Sequence, residues 1–425
     1  MENRITVQDR EELLYLLAEA CELEHGLCCS YLFAAFSLKD DRAEGLDGDQ
    51  LEAVTRWKQT IAGIAAQEML HLALANNLRT ALGAGPHFRR PNFPVQARYY
   101  PPEIQLALQP FSEETIAHFV YVERPAAALL ADAPGYETET PPAATSPPPE
   151  RVIVPTPQEY ESVNDLYRAI QESFSKLVHK YGETSVFIGP PRAQATEKHF
   201  HFEGLIPVTD LASAIAAIDL IVDEGEGGSG KVEDSHYGKF VRIRDEYHAL
   251  KRSRPDFVPA RPVLPNPFAR VPADAAAVSL IDDPFTVQVS DLFNGAYETL
   301  VQLLARFFMH TEETDAELKM LIDTAIAAMF TVIKPLGELL TTLPAGPSQP
   351  NYTAGPSFEF YRSGYTLPHK RAAWLLMQER LRELTSFSRR LEAEDGASAV
   401  LAEVTGALRG LADALRAHEP GGTAG

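Results

Sequence analysis

The chain has 425 residues, 45% of them hydrophobic and 23% charged, the proportions of an ordinary soluble globular protein with room for a sizeable core. Its 38 basic and 59 acidic side chains leave a formal charge of −21, which argues against a nucleic-acid surface or an anionic membrane as partner. The three cysteines, Cys21, Cys28 and Cys29, are clustered and odd in number, so a reducing cytoplasm is expected rather than a disulfide framework. The N-terminus shows no signal-peptide pattern, and no stretch approaches about 18 uninterrupted apolar residues.

In chain order, the first helix is predicted over about 9–38, with Leu13, Leu17, Cys21, Glu24, Cys28, Tyr31 and Ala35 recurring on one stripe. A glycine break at 45–48 precedes a second helix over about 50–82, and the short connection predicts an antiparallel hairpin. Residues 84–158 are rich in proline and predict a long loop or lid. Helices are expected again at about 159–181, 209–223 and 233–250. A proline-rich linker over 254–275 leads to a C-terminal helical region, 276–418, with helices near 289–310, 314–343, 367–393 and 396–417, and residues 419–425 read as a disordered tail. The predicted class is mostly α: a helical metal-binding domain over 1–253, carrying the 84–158 insertion, followed by an additional helical region.

The chemistry is concentrated in two Glu-x-x-His pairs, Glu68-Met69-Leu70-His71 and Glu233-Asp234-Ser235-His236. On a helix, residues three apart share a face, so a carboxylate and an imidazole converge on one ion. Two such pairs, with a Glu from each of two further helices, make the ligand set of a dinuclear carboxylate bundle. Glu24 lies on the apolar stripe of the first helix, where burying it unpaired would cost several kcal/mol. On the third helix the face through Leu211, Ile215, Ile218 and Val222 brings Glu226 into phase and turns Glu224 roughly away, with Asp223 as second choice. Glu22 and His25 repeat the Glu-x-x-His spacing off the stripe and read as surface; His179, His199, His201 and His248 read as structural or exposed.

The candidate metal ligands are therefore Glu24, Glu68, His71, Glu226, Glu233 and His236. Oxygen and imidazole donors in this number suit Fe or Mn better than Zn. Cys28 and Tyr31 share the face of Glu24 and are either packing groups or redox-active neighbours of the metal, which makes them the candidate catalytic residues.

Leu23-Glu24-His25, Tyr31-Leu32, Gln67-Glu68-Met69-Leu70-His71, Asn76-Asn77-Leu78, Ile221-Val222, Gly225-Glu226-Gly227 and His236-Tyr237 with Phe240 resemble the ferritin-like domain of the iminophenylpyruvate dimer synthase family over roughly residues 8–250. The resemblance implies a ferritin-like four-helix bundle with iron at Glu24, Glu68, His71, Glu226 and His236, and Glu233 matches an acidic position of the family. The chain departs from the pattern at Cys28-Cys29-Ser30, where family members carry prolines before the Tyr-Leu pair. The expected function is a non-haem di-iron oxidoreductase that uses O₂ or peroxide to oxidise a small, amino-acid-derived molecule. Two iron ions are expected, with manganese as the alternative, no nucleic-acid or membrane partner, and a homo-oligomer as a compatible assembly. Two further readings are an iron-binding or scavenging protein and a metal-free helical assembly module.

Overall fold

The computed structural model describes residues 5, 7–95, 99–101, 104–125, 128, 130–134, 136, 155, 157–227, 232–270, 279–361 and 366–417. Most of the proline-rich run 140–157 and the whole tail 419–425 lie outside them. The helices of the bundle begin where a short polar side chain satisfies the first free N–H groups. Asp9 accepts from Glu11 to open α1 (Arg10–Ser37), and Asp47 forms a capping box with Gln50 to open α2 (Gly48–Ala81). Arg79, near the end of α2, donates to the Leu14 carbonyl near the start of α1, so the two run antiparallel as expected.

The 84–158 segment, expected to be loop, holds a helix. α3 (Glu113–Val122) is capped by Ser112, and Ile116, Phe119 and Val120 bury its apolar face. It is only ten residues long and set among prolines, so its periodicity is diluted in any longer window. Next come α4 (Val163–Tyr181) and the single turns α5 (Glu183–Val186) and α6 (Glu197–Phe200). α7 (Leu211–Glu226) is capped by Asp210, and α8 (His236–Ser253) by Ser235. α4 packs on α1 and α7, while α8 packs on α2, α3 and α7, closing a bundle around the α1–α2 hairpin.

The remaining helices are α9 (Pro284–Phe308), α10 (Asp315–Ala328), α11 (Lys334–Leu340), α12 (Lys370–Glu392) and α13 (Ala399–Ala417), with a π turn, Met329–Ile333, joining α10 to α11. Among the described residues the strands are two short parallel ones, β1 (Pro267–Phe268) and β2 (Ser279–Leu280). The mostly helical class holds.

The segment read as a linker is packed over 254–270. Phe257, Val263 and Leu264 are buried, and Arg261 bonds Glu44, Asp40 and the carbonyls of Phe36 and Leu38. α11 lies so close to α1 that a Cβ on Gly337 would fall 2.6 Å from the Phe36 ring. One hydrophobic core therefore runs from Leu13 on α1 to Leu415 on α13. No helix among the described residues is long and apolar enough to cross a membrane.

Candidate metal centre

Inside the bundle, six acidic and imidazole side chains from five helices converge. α1 supplies Glu24, α2 supplies Glu68 and His71, and α7 supplies Glu224. His236 is the first residue of α8, and Glu123 closes α3. His71 Nδ1 lies 3.2 Å from Glu68 Oε2 and 3.5 Å from Glu24 Oε2, while its Nε2 lies 2.9 Å from Glu224 Oε2. His236 Nδ1 lies 3.0 Å from Glu68 Oε1 and 3.6 Å from Glu123 Oε1. The two imidazoles stack at 5.3 Å between centroids with Glu68 reaching both. Two buried phenols hold the outer carboxylates: Tyr167 donates to Glu24 Oε1 at 2.6 Å and Tyr31 to Glu123 Oε1 at 2.5 Å.

Burial makes this arrangement costly without a further partner. Glu24, Glu68, His71 and His236 are each at most 2% exposed, and an uncompensated buried charge costs several kcal/mol. Glu68 Oε1 and His236 Nδ1 face each other as a poorly aligned ion pair at 3.0 Å, and His236 Nε2 has no hydrogen-bond partner. Buried polar atoms without partners are rare in folded proteins. One donor atom each from Glu68, His71 and His236 lies within 4.8 Å of the others, the spacing of groups that share an ion. Four carboxylates with two neutral imidazoles carry a charge of −4, which two divalent cations neutralise. The donors thus fit a cation of the oxygen- and imidazole-preferring class.

The titration behaviour follows from the same crowding. Burial, then repulsion from Glu68, raises the Glu24 carboxyl to about 7. Burial disfavours the charged form of Glu68 as well, but His236 and His71 outweigh it and hold the carboxyl below its usual range. Burial likewise works against a charged His236, yet Glu68 and Glu123 raise it to about 9. His71 is raised against the same opposition by its bonds to Glu224, Glu24 and Glu68. Without metal the imidazoles therefore hold protons, which a bound cation displaces.

Compared with the sequence expectations, the structure brings Glu24, Glu68, His71 and His236 together. Glu233 is not among them. Helix α8 starts at His236, so Glu233 falls on the 3₁₀ turn Val232–Asp234, exposed, with only its carbonyl engaged, by Arg242. The Glu-x-x-His spacing places two side chains on one face only if both belong to the same helix. A Cβ on Gly238 would lie 2.0 Å from the Val232 carbonyl, so this turn docks directly on the first turn of α8.

Glu226 closes α7, and its side chain lies outside those described. Glu224, expected to point away, is the residue that bonds His71. The buried stripe of α7 is two residues wide: Ala217 and Ile221 form one edge, Ile218 and Val222 the other, and Glu224 continues the first edge at the i+3 position. Asp223 is half-buried, and Glu224 rather than Asp223 bonds His71.

Glu123 was missed altogether. Its signal is nonetheless local, since Ile116, Phe119, Val120 and Glu123 are spaced as a helical stripe ending in an acid, the criterion that singled out Glu24. Tyr167 was also missed. Of the two candidate catalytic residues, Tyr31 donates to Glu123 and packs against Phe119 and Phe240. Burial and the nearby Cys29, Glu68 and Glu24 charges push the Cys28 thiol well up, so it stays protonated. His25, read as surface, is buried and faces α9. An open surface cleft of about 650 Å³ lies elsewhere, between α9 and α12, lined by Arg270, Asp291, Arg380 and Arg390, and touches none of the centre's residues.

The ferritin-like family matches residues 17–245, more than half of the chain and the whole of this centre. The chain is 26% identical over 385 residues to dichlorochromopyrrolate synthase of Lentzea aerocolonigenes, covering 80% of this chain and 35% of that protein. It is also 26% identical over 368 residues to 2-imino-3-(indol-3-yl)propanoate dimerase of Chromobacterium violaceum, covering 80% and 33% respectively. The chain thus spans about a third of the length of these curated relatives. A solved ferritin-like protein from Caulobacter vibrioides aligns with a TM-score of 0.50 at 16% identity, over 84% of this chain and all of that one, and shows the same fold. The bundle and the family match agree: this chain belongs to the ferritin-like family.

Proposed function

We propose that the protein is a non-haem di-iron oxidoreductase that uses O₂ or peroxide to oxidise a small, amino-acid-derived molecule, with manganese fitting the same donors. The observation that carries this reading is the convergence of four carboxylates, those of Glu24, Glu68, Glu123 and Glu224, on His71 and His236 in one buried site. Four carboxylates gathered on two imidazoles leave a surplus of buried negative charge, which argues against a purely structural role. The names of the relatives, a synthase and a dimerase acting on an indolyl imino acid, support an enzyme and an amino-acid-derived substrate.

Bound at these residues, two redox-active ions supply the one-electron chemistry that lets oxygen react with a closed-shell organic molecule. The chain's own groups then have distinct tasks. Glu68 reaches both imidazoles, and together with Glu24 and His71 on one side and Glu123 and His236 on the other it would hold the ions. Tyr167 and Tyr31 each occupy one oxygen of an outer carboxylate, which orients the group toward the centre. Apolar packing around them excludes water. Glu224 is the most accessible ligand, with its side chain 25% exposed, and marks the mouth of the site. There Lys239, bonded to Gln67, offers positive charge to a substrate carboxylate.

The test is anaerobic loading with Fe(II), metal analysis and Mössbauer spectra before and after O₂. Two ions per chain and a coupled diferric spectrum support the reading. A mononuclear spectrum, or no iron retained, removes it.

A further inference from the structure

The cleft between α9 and α12 has the volume of a small-molecule site, about 650 Å³, and lies apart from the metal centre. Its charge runs against that of the chain. Acids outnumber bases by 59 to 38 overall, yet four arginines and three carboxylates line the cleft. Two of the arginines are engaged within it. Arg270 pairs with Asp291 at 3.3 Å and stacks on the Tyr361 ring at 4.3 Å, and Arg380 pairs with Glu383 at 3.0 Å. Arg382 and Arg390 form no ion pair among the described residues, and with Ser386 they stand at steps of four on one ridge of α12. The remaining acid, Glu379, precedes Arg390 by eleven residues, about 16 Å along the helix, and so leaves that guanidinium uncompensated. Between the charges, Leu292, Leu384 and Phe387 give the cleft an apolar surface, and the Arg390 guanidinium lies 5.1 Å from the Phe387 ring. The Arg270 side is fixed in advance, because Asn294 of α9 donates at 3.2 Å to the hydroxyl of the Tyr361 on which Arg270 rests.

We propose that this cleft binds a small aromatic carboxylate, its ring against Leu384 and Phe387 and its carboxylate on Arg390 and Arg382. A guanidinium meets a carboxylate with two parallel hydrogen bonds, and its flat face accepts an aromatic ring. An inorganic anion would satisfy the cations and leave the apolar surface uncovered. A purely apolar molecule would cover that surface and leave the cations unmatched. A molecule with both parts answers both. No metal takes part, so the site stands beyond the oxidative reading and does not depend on it. The two sites nevertheless share a helix: Asp291 and Leu292 of α9 wall the cleft, while Tyr297 of the same helix bonds His25, the neighbour of Glu24.

The experiment titrates the full chain, prepared without metal, with indole-3-acetate by isothermal titration calorimetry, using indole and acetate as the two halves of the probe. The proposal expects saturable binding of a single molecule per chain, with each half at least about tenfold weaker. Arg382→Gln with Arg390→Gln weakens indole-3-acetate by about tenfold or more and leaves thermal unfolding unchanged. Arg389→Gln, at an exposed arginine of the same helix that does not line the cleft, leaves the affinity unchanged. Indole binding as tightly as indole-3-acetate, or an affinity unmoved by the double substitution, overturns the proposal. An affinity lost in Lys239→Gln and kept in the cleft variant also overturns it, by placing the probe at the mouth of the centre. Hexaglutamate that binds more tightly than indole-3-acetate and displaces it overturns it in favour of an acidic protein segment. The outcomes separate the two sites: a chain that retains two irons and ignores the probe loses this proposal alone, and one that binds the probe and no iron loses only the oxidative reading.

Discussion

Two buried polar clusters sit on opposite sides of α1, served by adjacent residues, and they have opposite electrostatic characters. Glu24 faces the acid-rich centre, where carboxylates raise His71 and His236. His25, the next residue, faces α9, where burial and the Arg90 cation lower it to about 3. Its Nδ1 donates to the Phe88 carbonyl at 2.8 Å, so its Nε2 must accept the 2.6 Å bond from Tyr297. Arg90 donates to Tyr297, to the Phe358 carbonyl and to the Pro91 carbonyl, and stacks on Phe93 at 4.2 Å. This second cluster matches both nitrogens of a neutral imidazole, although Arg90 Nε is left without a hydrogen-bond partner. The first gathers four carboxylates on two imidazoles and leaves His236 Nε2 without a partner. A histidine among surplus carboxylates invites a cation, whereas one whose two nitrogens are matched by a carbonyl and a hydroxyl ties the C-terminal helices to the bundle.

The largest expected effect breaks the first cluster alone. In Glu68→Ala with His71→Ala, bound iron falls to background by metal analysis. The thermal stabilisation by Fe(II), about 2.7 kcal/mol at a hundredfold excess over Kd for the unaltered chain, disappears. The second cluster breaks differently. His25→Ala removes a buried hydrogen-bonded ring and should cost about 3 kcal/mol in denaturant unfolding while iron content stays unchanged. Loss of iron in that variant would show that the two clusters are not independent.

The two clusters should also respond to pH with opposite signs. The folded pKa of His25, about 3, lies below the unfolded value of about 6.5, so its stabilisation is complete above 6.5 and declines as pH falls toward 3. Between pH 6.5 and pH 5 this amounts to about 2 kcal/mol, an acid flank that His25→Gln should flatten in denaturant titrations. His236, raised to about 9, contributes stability that is full below about 6.5 and lost as pH rises through 9 in metal-free protein. A metal-free stability profile with no decline on the alkaline side would contradict that assignment.

Smaller effects sharpen the picture. Tyr167→Phe releases Glu24 from its orienting bond and should weaken iron binding about tenfold in competition with a chelator, with little change in unfolding. Tyr297→Phe removes one hydroxyl from the second cluster and should cost about 1 kcal/mol with no change in iron affinity.

What could be read from the residues in order was what depends on near neighbours. Helices α1 and α2, their polar caps, and the Glu68–His71 pair all follow from spacings of three and four along an unbroken helix. The stripe argument that selects Glu24 applies equally to Glu123, but it is obscured because α3 has only ten residues and is set among prolines. Glu233 failed for the converse reason, since its spacing to His236 is right but no helix connects them. Glu224 was misjudged because a stripe two residues wide leaves the phase of its last turn undecided by pattern alone.

The amino-acid order by itself determined a mostly helical chain, the α1–α2 hairpin and one wall of the centre, because helix periodicity and capping are local physics. Tertiary structure decided which acids complete the buried cluster, that His25 is buried rather than exposed, and that the proline-rich segment 254–270 packs between bundle and C-terminal helices. Those outcomes depend on which surfaces meet across hundreds of residues, and in a buried site the choice is made by charge balance and hydrogen-bond matching, which appear only once the helices are together.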